Sequence, residues 1–249
     1  MKKYSEENAE VFKKWKEIYN FDWMKPIDHE TFLKAKNKEP RLTLTPIKKV
    51  PFEWYKNCKG KKILGLAAGG GQQMAVLSAL GAKCTLLDIS TLQLEADSQV
   101  SEREKYYLDI IKGDMSEILP FEDNSFDMVV NPISNHYIEN PFFVFKEVYR
   151  VLKKGGSFLA GLDNGLYWSV NPNTMKVEIK QPVNPLKNKV LMENILKKGQ
   201  AIQFSHSIEE QIRGQLKAGF KLIDMYDDTE PGVFQMLNVN TCFATYSVK

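Results

Sequence analysis

Residues 63–73 read ILGLAAGGGQQ, an apolar run that leads into three consecutive glycines and then into a predicted helix. A short apolar run of this kind is typical of a strand buried in a parallel sheet. Glycines adopt backbone angles that other residues avoid, and they let a ligand approach the main chain closely. The helix that follows would present unpaired N–H groups and the positive end of its dipole. The stretch therefore predicts a strand, a ligand-binding turn and a helix; the alternative is a tight turn without a ligand.

Strands and helices alternate along the rest of the chain at a regular spacing. The pattern predicts strands at 62–67, 84–88, 108–112, 126–130, 157–162, 220–226 and 240–248, and helices at 72–80, 91–106, 141–152 and 207–218. Such alternation predicts an α/β fold built on a doubly wound, mostly parallel sheet of about seven strands. The last two strands have no crossover helix between them, which predicts an antiparallel strand at the sheet edge.

Asp88 stands at the end of the second predicted strand. In a doubly wound sheet this end borders the ligand crevice, and a carboxylate there can accept both hydroxyls of a ribose. The alternative is a helix cap, a role that Ser90 or Thr91 could fill equally well. Taken together with the glycine turn, Asp88 favours ribose binding.

The turn fits other nucleotide-binding motifs poorly. The G-x-G-x-x-G motif of nicotinamide and flavin sites would place Met74 at its third glycine, where close packing requires Gly or Ala. The sequence also lacks the G-x-x-x-x-G-K-S/T motif that cradles triphosphates. The turn therefore favours a nucleoside over a pyrophosphate.

The whole of this pattern resembles the class I S-adenosylmethionine-dependent methyltransferases. Gly69 and Gly71 match the last two glycines of their acidic-x-G-x-G-x-G first motif, and Asp88 matches their ribose-binding acid. Residues 113–115, 119–127 and 149–156 (GDM, LPFEDNSFD and YRVLKKGG) resemble three later motifs in the same order. The GGGQQ run resembles a bacterial subgroup of this family. The resemblance implies a Rossmann-like fold and S-adenosyl-L-methionine as the cofactor.

The resemblance also implies a set of cofactor-binding residues and no metal site. They are Gly65, Ala67, Gly69, Gly71, Gln72, Gln73, Asp88, Ile89, Gln93, Asp114, Met115, Asn131, Pro132 and Ser134. Two positions depart from the first motif, since Gly65 occupies the acidic position and Ala67 replaces the first glycine. Our hypothesis is that Gln72 or Gln73 supplies substitute polar contacts.

The acceptor contacts are expected in the loop after the fourth strand, residues 131–137. His136 could act there as a general base, and Tyr137 could line the sulfonium by a cation–π contact. The alternatives are a surface or capping histidine and a packing tyrosine. Residues 131–134 also resemble the N-P-P-Y/F motif of methyltransferases that act on planar amino nitrogens, but they depart from it at Ile133 and Ser134. That departure argues against a flipped base as the substrate.

The composition limits the remaining possibilities. The net charge is +3, with 34 Lys and Arg against 31 Asp and Glu, which gives no reason to expect a nucleic-acid partner. The longest apolar runs fall short of the ~20 residues that span a bilayer. Three widely spaced cysteines favour reduced thiols in a cytoplasmic protein.

The expected organisation is a helical extension over residues 1–60, with an amphipathic helix at 9–19, and a methyltransferase domain over residues 61–249. An inserted cap is expected at about residues 163–205, and Trp15, Trp23 and Trp168 could form a lid. An enclosed pocket favours a small-molecule O, N or C acceptor. The alternatives are an RNA or protein N-methyltransferase and a non-catalytic cofactor-binding protein. A nicotinamide oxidoreductase ranks last because of Met74.

Overall fold

The computed structural model describes residues 3–19, 21, 24–171 and 173–249, with Glu17 described by its backbone alone. Seven strands form one sheet, and their bounds are β1 (Lys62–Leu66), β2 (Lys83–Asp88), β3 (Leu108–Lys112), β4 (Phe126–Asn131), β5 (Leu152–Asp163), β6 (Lys221–Asp228) and β7 (Cys242–Val248). Their order across the sheet is β3-β2-β1-β4-β5-β7-β6.

The predicted Rossmann-like fold is confirmed. The pairs β1–β2, β1–β4, β2–β3 and β4–β5 are parallel, whereas β7 is antiparallel to both of its neighbours, β5 and β6. The antiparallel strand therefore lies one position in from the edge, which β6 forms. Because the strand order reverses beside β1, the carboxyl ends of β1 and β4 border the crevice where such sheets bind ligands.

Nine described helices surround the sheet. They are α1 (Tyr4–Ile18), α2 (His29–Lys36), α3 (Gln73–Ala79), α4 (Thr91–Glu104), α5 (Pro141–Val151), α6 (Leu166–Ser169), α7 (Lys189–Lys197), α8 (Ile208–Ala218) and α9 (Val233–Met236). Two boundaries differ clearly from the sequence predictions. The first helix begins at Tyr4 rather than residue 9, because its first turn is polar and carries no apolar period. Strand β5 begins at Leu152, directly after α5, and includes the two glycines that we expected to separate helix and strand.

The sheet is buried on both faces, as parallel sheets are. Successive residues of β1 alternate between two apolar clusters: Ile63 packs with Met74 and Leu86 on one face, and Leu64 packs with Val129 and Phe158 on the other. The N-terminal segment completes the first cluster, to which Leu42, Leu44, Val50, Trp54, Tyr55 and Cys58 all belong.

Residues 163–205 lie between β5 and α8 and contain α6, α7 and long irregular stretches. A reciprocal pair of hydrogen bonds joins this segment to α1. Nδ2 of Asn8 donates to the carbonyl of Ile202 (2.8 Å), and the N–H of Ile202 donates to Oδ1 of Asn8 (2.7 Å). Asn8 is buried, so these bonds fix α1 against the segment.

Candidate active site

The glycine turn joins β1 to α3 through left-handed backbone angles. The φ values are +47° at Ala67, +123° at Gly70 and +73° at Gly71. A Cβ at Gly71 would lie 2.8 Å from side-chain atoms of both Pro26 and Val100, so only glycine fits there. Ala67 adopts its left-handed angle at a cost of about 1–2 kcal/mol, which the surrounding structure must offset.

Asp88 contacts the turn directly. Its side chain is buried, with Oδ2 accepting the N–H of Gly69 (3.0 Å) and Oδ1 accepting the N–H of Ser90 (2.9 Å). Ser90 is the residue that caps α4, through a bond from the N–H of Gln93 to its hydroxyl, so Asp88 is not needed as the cap. Burial raises the pKa of Asp88, and the backbone N–H groups partly oppose that shift.

A close approach keeps Gly69 beside this carboxylate. A Cβ at Gly69 would lie 2.8 Å from Oδ2 of Asp88 and 2.7 Å from Cβ of Gln93. Gln93 is itself buried, and its Oε1 has no hydrogen-bond partner in the part of the chain that the structure describes. Gly69, Asp88 and Gln93 therefore form a polar cradle at the carboxyl end of β2, with half-buried Ile89 next to it.

The two glutamines after the turn contact the N-terminal segment. Nε2 of Gln72 donates to the carbonyl of Lys25 (2.7 Å), and Nε2 of Gln73 donates to the carbonyl of Thr43 (3.2 Å). Each of these bonds uses one hydrogen of the side-chain amide. The hypothesis that Gln72 or Gln73 supplies substitute polar contacts remains a prediction.

The missing acid of the first motif has a steric explanation. A Cβ at Gly65 would lie 2.6 Å from Sδ and 2.7 Å from Cε of Met74, which is fully buried. The Met74 side chain thus fills the space that an acidic side chain at position 65 would need.

The loops after β3 and β4 approach each other, although β2 and β1 lie between these two strands in the sheet. Oδ1 of Asp114 accepts both the N–H and the hydroxyl of Ser116 (2.8 and 2.7 Å), and the thioether of buried Met115 lies 3.9 Å from the hydroxyl of Ser134. Nδ2 of Asn131 donates to the carbonyl of Leu66 (2.7 Å) and to Oγ of Ser134 (2.9 Å). Asn131 therefore joins the end of β1 to the loop after β4.

His136 is paired with an acid that the sequence reasoning missed. Its Nδ1 lies 3.0 Å from Oδ2 of Asp163, and both side chains are more than nine-tenths buried. Asp163 is held in place by several bonds, because its Oδ1 accepts the N–H of Gly165 (2.7 Å) and its own N–H donates to Asn135 (3.1 Å). Gln211 donates to the Asp163 carbonyl (2.8 Å) and accepts from Asn135 (2.6 Å). The histidine is thus oriented by a rigid buried network.

Aromatic rings surround this pair. The ring centroid of Tyr137 lies 4.0 Å from that of His136 and 4.9 Å from that of Phe12 in α1. The Trp168 ring lies 5.2 Å from His136, whereas Trp15 packs against Phe12 at 5.9 Å. Of the three tryptophans expected in a lid, Trp168 contacts the site and Trp23 lies outside the described residues. Burial raises the pKa of Tyr137, and the charge of Asp163 adds to that shift.

Sequence reasoning missed three acids, Asp97, Asp163 and Glu230. Asp97 is fully buried in α4, where its Oδ2 accepts the N–H groups of Gly70 (2.7 Å) and Gly71 (2.9 Å). Its position on the buried face of a helix, four residues after Gln93, was the available signal. Glu230 follows β6; burial raises its pKa, and the charge of nearby His136 lowers it. Only the tertiary fold brings Glu230 and Asp163 to His136.

Metal binding and membrane spanning find no support in the described ranges. Within them, no three His, Cys, Asp or Glu side chains converge as a metal site would require. None of the described helices combines the length and the apolar character needed to cross a membrane.

Comparisons with known proteins agree with this arrangement. Residues 64–160 match the sequence family described as Methyltransferase domain. An S-adenosylmethionine dependent methyltransferase from Mesorhizobium loti has the same fold, with a TM-score of 0.61 at 16% identity, covering 77% of this chain and 92% of that chain. The Bacillus subtilis protein called Uncharacterized methyltransferase YbaJ is 36% identical over 251 residues, which cover 97% of each chain. This chain belongs to the class I S-adenosylmethionine-dependent methyltransferases.

A further relative of this methyltransferase matches over a shorter range. The Ubiquinone/menaquinone biosynthesis C-methyltransferase UbiE of Ruegeria is 32% identical over 111 residues, which cover 43% of this chain and 44% of that protein. The shorter match leaves the acceptor of this methyltransferase open.

The residues around the glycine turn fit the cofactor of this family. Gly69 leaves room beside the Asp88 carboxylate that any side chain would fill, and the unpartnered Oε1 of Gln93 offers a buried acceptor there. Each oxygen of Asp88 accepts one backbone hydrogen bond and keeps a further lone pair for a ribose hydroxyl. S-adenosylmethionine, when bound, supplies a methyl group on a positively charged sulfur. The remaining task of the protein is to hold the acceptor in line with that methyl group.

Proposed function

We propose that this methyltransferase methylates a small-molecule acceptor held at the carboxyl ends of β4 and β5, with His136 as general base. The observation that carries the proposal is the buried bond between Nδ1 of His136 and Asp163, at 3.0 Å. In the described part of the chain, Nε2 of His136 makes no hydrogen bond, so this atom is available to a ligand. A base must reach the proton that it removes, and this nitrogen is the group placed to do so.

The proposed roles follow from the orientation of the imidazole. With Nδ1 bonded to Asp163, the neutral ring carries its proton on Nδ1 and presents the lone pair of Nε2. Nε2 takes the proton of the acceptor O–H or N–H as the acceptor attacks the methyl group. The carboxylate of Asp163 then stabilises the imidazolium that forms. The lone pair of the acceptor forms the new bond to carbon, and the electrons of the broken carbon–sulfur bond stay on sulfur.

Enclosure of the site supports a small acceptor. The Phe12 ring of α1 packs on Tyr137, and Trp168 of the segment 163–205 packs on His136, so two elements cover the same pair of residues. The bonds between Asn8 and Ile202 join those two covering elements to each other. Enclosed pockets favour small ligands, whereas a nucleic acid or a protein chain needs an open groove.

The Asn131–Pro132 pair offers little support for N-methylation of a polymer. The amide of Asn131 donates to Leu66 and Ser134, and the carbonyl of Pro132 accepts the hydroxyl of Ser134 (3.0 Å). These internal bonds use the groups that would have to meet a planar amino nitrogen. A catalytically silent cofactor-binding protein would have no use for an oriented base.

The test follows a labelled methyl group from S-adenosylmethionine into separate acceptor pools. Purified protein is offered phenols, carboxylates and amines of low molecular mass in one set, and bulk tRNA or denatured protein in another. We expect label in the small molecules, with loss of transfer in His136→Gln and not in His29→Gln, whose side chain is mostly exposed. Label confined to tRNA or protein would overturn the acceptor class, and full activity of His136→Gln would overturn the base.

A further inference from the structure

Asp97 lies on the far side of the glycine turn from β1. Its side chain is completely buried, and Oδ2 accepts two consecutive backbone N–H groups, from Gly70 at 2.7 Å and Gly71 at 2.9 Å. We propose that Asp97 is a positioning residue for cofactor binding, which holds the glycine turn in its binding conformation and makes cofactor affinity depend on its own ionisation. It acts through the turn and needs no contact with the cofactor.

The direction of the peptide groups in the glycine turn supports this role. In a trans peptide the N–H and the C=O point to opposite sides. With the N–H groups of Gly70 and Gly71 directed at Asp97, the carbonyls of Gly69 and Gly70 are turned away from α4. Neither carbonyl accepts a hydrogen bond from any residue that the structure describes. Both are therefore free to accept from a donor in the crevice, such as an ammonium group of a ligand.

Burial of the Asp97 carboxylate is energetically unfavourable, which also points to a role in binding. Oδ1 of Asp97 is buried and has no partner among the described residues, as is also true of the hydroxyls of Tyr106 and Ser78. An unpaired buried polar atom destabilises the folded protein, because its hydrogen bonds to water are lost on folding. Burial raises the pKa of Asp97 to about 7; the N–H groups of Gly71 and Gly70 lower it, and the charge of Asp88 raises it further. A neutral amide would satisfy the turn at lower cost, so the acid is better explained by a role in binding.

The groups around Asp97 leave its charge uncompensated. Asp88 and Cys84 of β2 and Tyr106 of the segment after α4 lie near it, and none of these three side chains carries a positive charge. At the end of α4, the charge of Arg103 lowers the pKa of Tyr106 and that of Glu104 raises it. These two side chains also bond to each other (2.6 Å). The ionised form therefore adds negative potential beneath the turn. S-adenosylmethionine has a sulfonium charge that S-adenosylhomocysteine lacks, so the ionised form should favour the former more.

The sign of the stability effect runs against the sign of the binding effect. The folded pKa lies above the unfolded value of about 3.9, so folding favours the protonated acid. The stability that this group contributes is present in full below the unfolded pKa and is lost as the pH rises through about 7. Over the same range the turn gains a charged acceptor, whose hydrogen bonds are stronger than those of a neutral one. An amide at position 97 should therefore raise the stability of the fold at high pH. If Asp97 positions the turn for binding, the same amide should lower the affinity for the cofactor.

The experiment compares Asp97→Asn with Glu95→Gln, which removes a carboxylate from the exposed side of the same helix. Calorimetric titration with S-adenosylmethionine and S-adenosylhomocysteine at pH 6 and pH 8 is combined with thermal melts at pH 8. We expect Asp97→Asn to melt at or above the wild-type temperature and to bind S-adenosylmethionine about tenfold more weakly at pH 8. The loss should be smaller for S-adenosylhomocysteine and smaller at pH 6, and Glu95→Gln should match the wild type.

Unchanged affinity of Asp97→Asn for both ligands would overturn the proposal, whatever its melting temperature. If the variant does not fold, the wild type alone decides the question. Its affinity for S-adenosylmethionine must rise between pH 6 and pH 8 by a larger factor than its affinity for S-adenosylhomocysteine. Equal pH profiles for the two ligands would exclude the coupling to ionisation.

Discussion

Nδ1 of His136 lies 3.0 Å from Oδ2 of Asp163, and the two residues come from the carboxyl ends of neighbouring parallel strands, β4 and β5. This is the edge of the sheet where a doubly wound fold binds its ligands. A histidine held by a buried carboxylate is fixed in one tautomer, with its free nitrogen as a base. In the proposed function, this pair is the group that deprotonates the acceptor.

Replacing either member of this pair should lower turnover and leave cofactor binding in place. We expect His136→Gln to reduce kcat about 10²–10⁴-fold, since that is the usual contribution of a general base. Asp163→Asn should lose activity to a similar extent, because an amide NH₂ at this position would select the wrong tautomer. Steady-state kinetics with the identified acceptor would measure both.

The control for these variants is calorimetric titration with S-adenosylhomocysteine. Its affinity should match the wild type in His136→Gln, because the glycine turn and Asp88 are unaltered. A variant that loses cofactor binding and turnover together would indicate a collapsed site and would not support a base.

Gly71→Ala should destabilise the protein more than Gly155→Ala, although the two glycines have nearly the same φ angle. Gly71 has φ +73° and its added Cβ would lie 2.8 Å from Pro26 and Val100, whereas Gly155 has φ +74° with open space around it. Both variants incur a left-handed alanine at about 1–2 kcal/mol. Overpacking adds about 1–3 kcal/mol at Gly71 alone. Urea denaturation would measure the difference, and equal losses of stability would show that the turn relaxes.

Asn8→Ala should loosen the contact between α1 and the segment 163–205. The substitution leaves the buried N–H and carbonyl of Ile202 without their partner, at a cost of about 1–3 kcal/mol. Limited proteolysis should then cut this segment faster than in the wild type. Asn194→Ala, on the exposed side of α7, is the control and should leave the rate unchanged. Identical digestion of all three proteins would mean that these bonds do not hold the cover closed.

The sheet and the position of the cofactor turn were predictable from the sequence because both depend on local patterns. Apolar runs of four to six residues, the glycines after β1 and the acid at the end of β2 are all readable within about 30 residues, the length of one βαβ unit. Asp88 could be proposed as a ribose ligand from its place at a strand end together with the glycine turn. His136 could be proposed in the same way, because it follows a central strand.

The partners of these residues were not predictable, since they depend on tertiary contacts. Asp163 is 27 residues from His136 in sequence and looked like the start of an irregular segment. Asp97 lies inside a helix, and its place on the buried face does not reveal that it meets the turn 26 residues earlier. The segment 163–205 has no steady apolar period, so its packing on α1 and on the active site could emerge only from the fold.

The most direct test of the account is calorimetric titration with S-adenosylhomocysteine, in which the wild type is compared with Asp88→Ala and NADH serves as the control ligand. We predict micromolar binding by the wild type and no response to NADH. Asp88→Ala should lose about 10²–10⁴-fold in affinity, because two hydrogen bonds to a charged acceptor contribute about 1.5–3 kcal/mol each. Equal affinity of the two proteins for S-adenosylhomocysteine would contradict the assignment of the glycine turn and Asp88 as the cofactor site.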